Sequence, residues 1–202
     1  MKFRLWCEFL EPKDMVEEFL LDILEKYKIH IHYKVEYNSF TPDFFKMLQV
    51  YNSRGIPISI WATLSDKQGY WINERNAHIF EKYIFRLVEQ IEREKCTING
   101  ICIDMEPPLK QVQAIVKPRR FFQPYLAYVR MATVNVNNSR YFEATRRLHS
   151  VQKYLKAKNI ESFATFLRQV YYDIRFNSNI IQNELETPIF SIPWDKYNIM
   201  YY

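Results

Sequence analysis

Ile98-Asn99-Gly100-Ile101-Cys102-Ile103-Asp104-Met105-Glu106-Pro107-Pro108 reads as a buried β-strand that ends in two acids. Ile98, Ile101, Ile103 and Met105 make it apolar enough for a strand covered on both faces. Side chains alternate along a strand, so Cys102, Asp104 and Glu106 share one side. Pro107 and Pro108 have no N–H to donate, so strand pairing stops there. Two carboxylates then stand at the carboxyl end of a central parallel strand, the position where (β/α) barrels keep their chemistry.

The segments on either side repeat one grammar. Upstream lies a helix over 74–95, with Ile79, Tyr83, Leu87 and Ile91 on one stripe. Before it come a strand over 56–64 and the loop 65–73. Thr41-Pro42-Asp43 opens a helix that Gly55 closes. A second strand covers 29–37, and a first covers 3–9 with Glu8 near its end. Pro12 opens the helix between them, with Asp14, Glu17 and Glu18 placed to favour its dipole.

Downstream, 109–138 has a poor pattern and suggests a helical excursion over the mouth of the fold. Ser139 caps a helix to about 158. The run 156–167 echoes 52–64 as helix end, turn and strand, which makes 160–167 a fifth strand. A short helix within 177–185 and a sixth strand over 197–202 complete the chain. Six strands alternating with helices predict an α/β fold, specifically a (β/α) TIM-type barrel forming one domain over 1–202. An eight-stranded barrel takes about 250 residues. The expectation is therefore a barrel truncated or incomplete after its sixth strand.

Composition narrows the function classes. Only three Gly occur among 202 residues, and neither GxGxxG nor GxxxxGK is present, which argues against a phosphate-cradling loop. A net charge of +5 is modest. Its local concentrations, such as Arg119-Arg120 and Arg146-Arg147, read as solvated helix surface, so no nucleic-acid partner is expected. Cys7, Cys96 and Cys102 lack CxxC spacing and suggest neither a disulfide framework nor zinc. The four His show no metal spacing, and His30 and His32 read as helix-facing polar positions. No apolar run reaches membrane-spanning length, and no leader precedes the first strand. The chain as given reads as soluble and cytoplasmic, a secreted origin requiring that a leader was trimmed.

The strand 98–106 also resembles the fourth-strand motif of glycoside hydrolase family 18, the chitinase-like barrels, written Asp-Gly-x-Asp-x-Asp-x-Glu. In the frame 99–106, Gly100, Asp104 and Glu106 match, while Asn99 and Cys102 stand where the family has Asp. Met200-Tyr201-Tyr202 matches the first three positions of the family's sixth-strand Met-x-Tyr-Asp motif. The eighth-strand Trp that floors the family's sugar site has no counterpart. The resemblance implies retaining cleavage of an N-acetylhexosamine-containing glycan, assisted by the substrate's own acetamido group and needing no cofactor. It gives Glu106 the acid/base role, Asp104 the orienting role and Tyr202 a hydrogen bond to the acetamido carbonyl. Cys102 removes a group that shares charge with Asp104 in the family.

Read for themselves, the residues fit acid chemistry. Hydrolysis of a glycosidic bond needs a group that protonates the leaving oxygen. Two acids held close repel, which raises one pKa and keeps a proton available. Trp61, Trp71, Tyr70, Glu8 and Met200 are the candidate substrate-binding residues, aromatic faces being suited to sugars. Trp6 reads as core. Two other readings stand beside this one. The same fold can serve as a non-catalytic carbohydrate-binding or scaffold protein. The acidic strand end can also hold a hard cation, with Glu8 and Glu36 joining as ligands.

Overall fold

Local signals mark one helix most clearly. The hydroxyl of Thr41 accepts a hydrogen bond from the Phe44 N–H at 3.2 Å, Pro42 fills the first helical position, and Gly55 at φ 66° ends the helix α2, Pro42–Arg54. The structure, a computed structural model, describes residues 3–109, 111–112 and 136–200. In order, the other helices are α1 (Glu18–Lys26), α3 (Ala77–Arg93), α4 (Asn138–Ala157), α5 (Tyr171–Phe176) and α6 (Ile180–Glu184). The strands are β1 (Arg4–Cys7), β2 (His30–Glu36), β3 (Ile58–Thr63), β4 (Gly100–Met105), β5 (Glu161–Leu167) and β6 (Lys196–Met200).

Several boundaries shift for identifiable reasons. The helix expected from Pro12 is broken into a single turn, Asp14–Val16, and α1, because Glu17 is extended at ψ 131°. Met15 is buried there, and its carbonyl accepts the hydroxyl of Tyr51 at 3.2 Å. α3 starts three residues later than expected, since Ile72 is drawn alongside β4 and donates its N–H to the Asp104 carbonyl at 3.0 Å. Asn137, not Ser139, caps α4, accepting from the Arg140 N–H at 3.0 Å. The short helix expected in 177–185 is α6, and α5 adds a helix that the pattern did not announce. The helix expected at 111–116 is present at Gln111 and Val112, whose N–H groups donate to the Pro108 carbonyl at 2.7 and 3.3 Å; the stretch 113–135 of the expected excursion lies outside the described residues.

All six strands are parallel and lie side by side in sequence order, from β1 to β6. The sheet is strongly curled. Flat strands about 4.8 Å apart would separate β1 from β5 by about 19 Å. Yet Arg4 on β1 reaches Glu161 on β5 at 3.8 Å, and the rings of His32 on β2 and Phe163 on β5 are 5.4 Å apart. The concave face is therefore closed over itself at its floor. The row Trp61, Cys102 and Phe163 forms a small apolar cluster there. The convex face, with Ile31, Ile60, Ile103 and Phe166, packs under the helices in a much larger core. Burial of this face supplies the main stabilising term.

This architecture corrects the expected TIM-type barrel. The sheet is an open half-barrel: among the described residues β1 and β6 are its two edges and do not pair with each other. Eight strands give the diameter at which a barrel closes with a side-chain-filled interior. Six strands at this curvature leave an opening between β1 and β6. No helix among the described residues is long and apolar enough to cross a membrane.

Gly100 shows how tight the concave floor is. A Cβ at this position would stand 2.6 Å from the Glu161 carbonyl oxygen and 3.1 Å from Ser59 Oγ, and would strike the Phe163 ring. The carbonyl belongs to the neighbouring strand and cannot rotate away. Gly100→Ala should therefore destabilise the fold by roughly 2 kcal/mol or more, measured as the change in urea-unfolding free energy. A loss below about 0.5 kcal/mol would mean that the two strands can separate at little cost.

Candidate functional site

The opening between the sheet edges is a slot of about 570 Å³, well within the size range of small-ligand sites. One wall is β1 and its continuation, with Arg4, Trp6, Glu8 and Phe9; the other is β6, with Asn198, Ile199 and Met200. His32, Trp61, Asp104 and Thr165 form its floor. Alternation explains this set. Asp104, Thr165 and Asn198 are register partners on β4, β5 and β6, so their side chains share one row. Below that row lies the apolar row of Trp61, Cys102 and Phe163.

Asp104 and Glu106 are 8% and 9% exposed. Burial, together with the charges of Glu106 and Glu8, holds the Asp104 carboxyl well above the usual carboxylate range. Burial pushes Glu106 up to about 7. Near neutral pH Glu106 is therefore close to half-protonated, and the upward shift of Asp104 favours its protonated form. Asp104 Oδ1, Trp61 Nε1 and Thr63 Oγ1 are buried and have no hydrogen-bond partner among the described residues. Trp61 and Asp104 line the slot, and Thr63 lies on their face of the sheet. Glu106, two residues past Asp104, lies just beyond the slot lining.

Glu8 belongs to a second polar group. Its Oε1 accepts the Tyr70 hydroxyl at 2.8 Å and the Lys34 ammonium at 3.3 Å. Lys34 also stands 5.1 Å over the Tyr70 ring. Tyr70 adopts φ 57°, a left-handed conformation unusual for a bulky side chain, in a turn where its N–H donates to the Ser65 carbonyl and its carbonyl accepts from the Leu64 N–H. The structure therefore brings Glu8, Trp61, Asp104 and Met200 to the slot and places Tyr70 behind Glu8. It does not bring Trp71 there: that ring packs edge-on against Tyr70, and its carbonyl receives the Asn76 side chain at 2.8 Å. Tyr202 lies outside the described residues.

Two sequence expectations are corrected here. Trp6 is not core; it is 44% exposed and lies in the slot wall, its ring 5.2 Å from that of Trp61. His30 and His32 do not face the helices, because they occupy the concave parity of β2. His32 Nδ1 meets Cys102 Sγ at 2.7 Å, and His30 Nε2 meets Ser59 Oγ at 2.7 Å. Burial, with help from the His30, Arg4 and Lys196 charges, lowers the His32 pKa to about 3. Burial pushes the Cys102 thiol well up. A neutral imidazole thus faces a neutral thiol beneath Asp104. Arg4, Phe9, His32, Thr165, Asn198 and Ile199 line the slot without having been candidate site residues. The signal for Arg4 and Trp6 was available, since both share strand parity with Glu8.

A buried ion network braces the loops beside the site. Arg140 Nε donates to Glu74 at 3.0 Å, and its Nη2 donates to Glu186 at 3.2 Å. Arg75 grips Glu186 through two contacts of 2.5 Å. Both acid side chains are fully buried. Burial outweighs Arg140 at Glu74 and pushes that carboxyl up to about 7. Among the described residues no three His, Cys, Asp or Glu side chains come together to hold a metal ion, which leaves the cation-site reading without a ligand set.

Fold and site together define an open parallel α/β protein with an aromatic-walled slot that reaches the buried carboxyl of Asp104, with Glu106 just beyond its lining. The chain matches no family model, no curated protein and no solved structure.

Proposed function

We propose that the chain is a glycoside hydrolase-like protein that cleaves an N-acetylhexosamine-containing glycan with retention, using the substrate's acetamido group. The observation that carries this reading is the pair of buried carboxyls at the end of β4: Asp104 in the slot floor with its pKa pushed well up, and Glu106 two residues on with its pKa raised to about 7. A protonated carboxyl offers one donor and one acceptor, which matches the two halves of an amide. Asp104 orients the acetamido group so that its carbonyl oxygen attacks the anomeric carbon. Glu106 gives its proton to the departing glycosidic oxygen as that bond breaks. The product is a cyclic oxazolinium. Water then opens the ring, and Glu106 takes back a proton from that water.

The unpartnered Trp61 Nε1 and Thr63 Oγ1 support a hydrogen-bonding ligand, since buried polar groups without partners are costly. Trp6 and Trp61 supply flat apolar surface for a sugar ring.

One observation favours the non-catalytic, carbohydrate-binding reading. Beneath Asp104 the neutral Cys102–His32 pair offers no second carboxylate to exchange a proton with it. The deciding experiment compares matched tetrasaccharides of N-acetylglucosamine and of glucosamine, with product configuration read by NMR. Cleavage of the acetylated sugar alone, with retention, is the expected result. Equal cleavage of both would remove the acetamido role. Binding without cleavage would leave the lectin-like reading standing in its place.

A further inference from the structure

Resting on that reading of the slot, we infer that its natural ligand is an acidic glycan whose carboxylate is held by Arg4. The slot has a polarity along β1. Arg4 and Glu8 occupy the same face of the chain four residues apart, a separation of about 13 Å at about 3.3 Å per residue. This is on the order of two pyranose rings laid end to end. Trp6 stands between them and Trp61 lies against it, so the middle of the slot is aromatic. Acidic groups, Glu8 and Asp104, occupy one end. Arg4 is the cation that lines the other.

The charge at the Arg4 end is not balanced within its cluster. Glu161 is shared by two cations. Lys196 holds its Oε1 at 2.5 Å, whereas Arg4 stands 3.8 Å from Oε2, beyond hydrogen-bond range. Both cations lie over the Phe163 ring, Arg4 at 4.7 Å and Lys196 at 5.1 Å. His32, the next side chain along the floor, is neutral. Two positive groups and one negative group leave this end cationic. Among the described residues this guanidinium, seated on an aromatic face, has Glu161 at 3.8 Å as its ion-pair partner, an arrangement suited to taking a further carboxylate. Thr165 and Asn198 line the slot nearby and offer neutral partners to the adjoining sugar hydroxyls.

The test is titration calorimetry on the full chain with two tetrasaccharides. One contains N-acetylglucosamine only; the other alternates N-acetylglucosamine with glucuronic acid. The acidic one should bind at least about tenfold tighter, the effect of one charge-assisted contact. In Arg4→Gln the ratio of the two affinities should fall to about one, and Arg4→Lys should keep part of it. In the wild type the ratio should shrink as salt is added, a result that needs no variant to fold. Equal binding of the two sugars, or a preference indifferent to salt and to Arg4, would overturn this inference alone. Binding of neither would overturn it together with the carbohydrate reading.

Discussion

Glu106→Gln should lower turnover of an N-acetylated oligosaccharide by about 10²–10⁴-fold, the usual contribution of a positioned general acid. The amide keeps the shape of the acid but has no proton to give. Because Glu106 is buried and neutral for much of the time near pH 7, the substitution should leave the unfolding midpoint close to that of the wild type. A fall in turnover with unchanged stability would separate a chemical role from a structural one. Retention of more than about a tenth of the activity would remove Glu106 from the acid role.

The same group sets the pH profile. Its pKa in the folded chain is about 7, against an ordinary value of 4.5. An acid catalyst works protonated, so activity should fall as pH rises through about 7. Stability moves in the same direction. Between the two values the folded chain holds a proton that the unfolded chain has lost, so folding is progressively disfavoured as pH rises from 4.5 to about 7. Glu74, also raised to about 7, adds to this slope. Each group contributes on the order of 3 kcal/mol at most over that window. The protein should therefore be more resistant to urea near pH 5 than near pH 8 so far as these groups govern it. A flat profile would mean that neither carboxyl is as buried in solution as in the structure.

Arg140→Ala carries the largest expected loss of stability. Arg140 donates to Glu74 and also reaches Glu186. Both carboxylates are fully buried. Removing one member of such a network leaves an uncompensated buried charge, at a cost of about 3–5 kcal/mol. Glu186 retains Arg75, so most of the cost falls on Glu74. Protonation relieves that cost, and the loss should be clearly smaller at pH 5.5 than at pH 8. The double variant Arg140→Ala/Glu74→Gln should be more stable than Arg140→Ala at pH 8, because the stranded charge is gone. Equal losses at the two pH values would mean that water reaches Glu74 in the variant. The network joins the start of α3 to the start of α4 and to the segment before β6. Its loss should also loosen the loops next to Asp104.

Much of this molecule was legible from residue order. The fourth strand, the alternation of strands and helices, and the fifth strand inferred from the echo of 52–64 all depend on local pattern, and the structure has them, the fourth strand shortened to Gly100–Met105. Asp104 was legible for the same reason, since strand parity places it on the concave face; Glu106 falls one residue past the end of β4 and outside the slot lining. Helix boundaries were less so. Ile72 leaves the expected start of α3 to bond the Asp104 carbonyl, and Met15 breaks the first helix beneath Tyr51. In both cases a long-range contact outweighed local propensity.

The sequence by itself determined a parallel α/β chain with two acids at the end of its fourth strand, because apolar periodicity and turn chemistry act over a few residues. Only the tertiary structure decided that the sheet stays open and that its open side is the slot. Curvature is the sum of small twists over six strands, and no single stretch encodes it. It alone brings Arg4 within 3.8 Å of Glu161, turns Trp6 from a core residue into a wall, and sets a neutral Cys102–His32 pair beneath Asp104. The raised pKa values of Asp104 and Glu106 follow from that burial, a property of the assembled sheet that no motif carries.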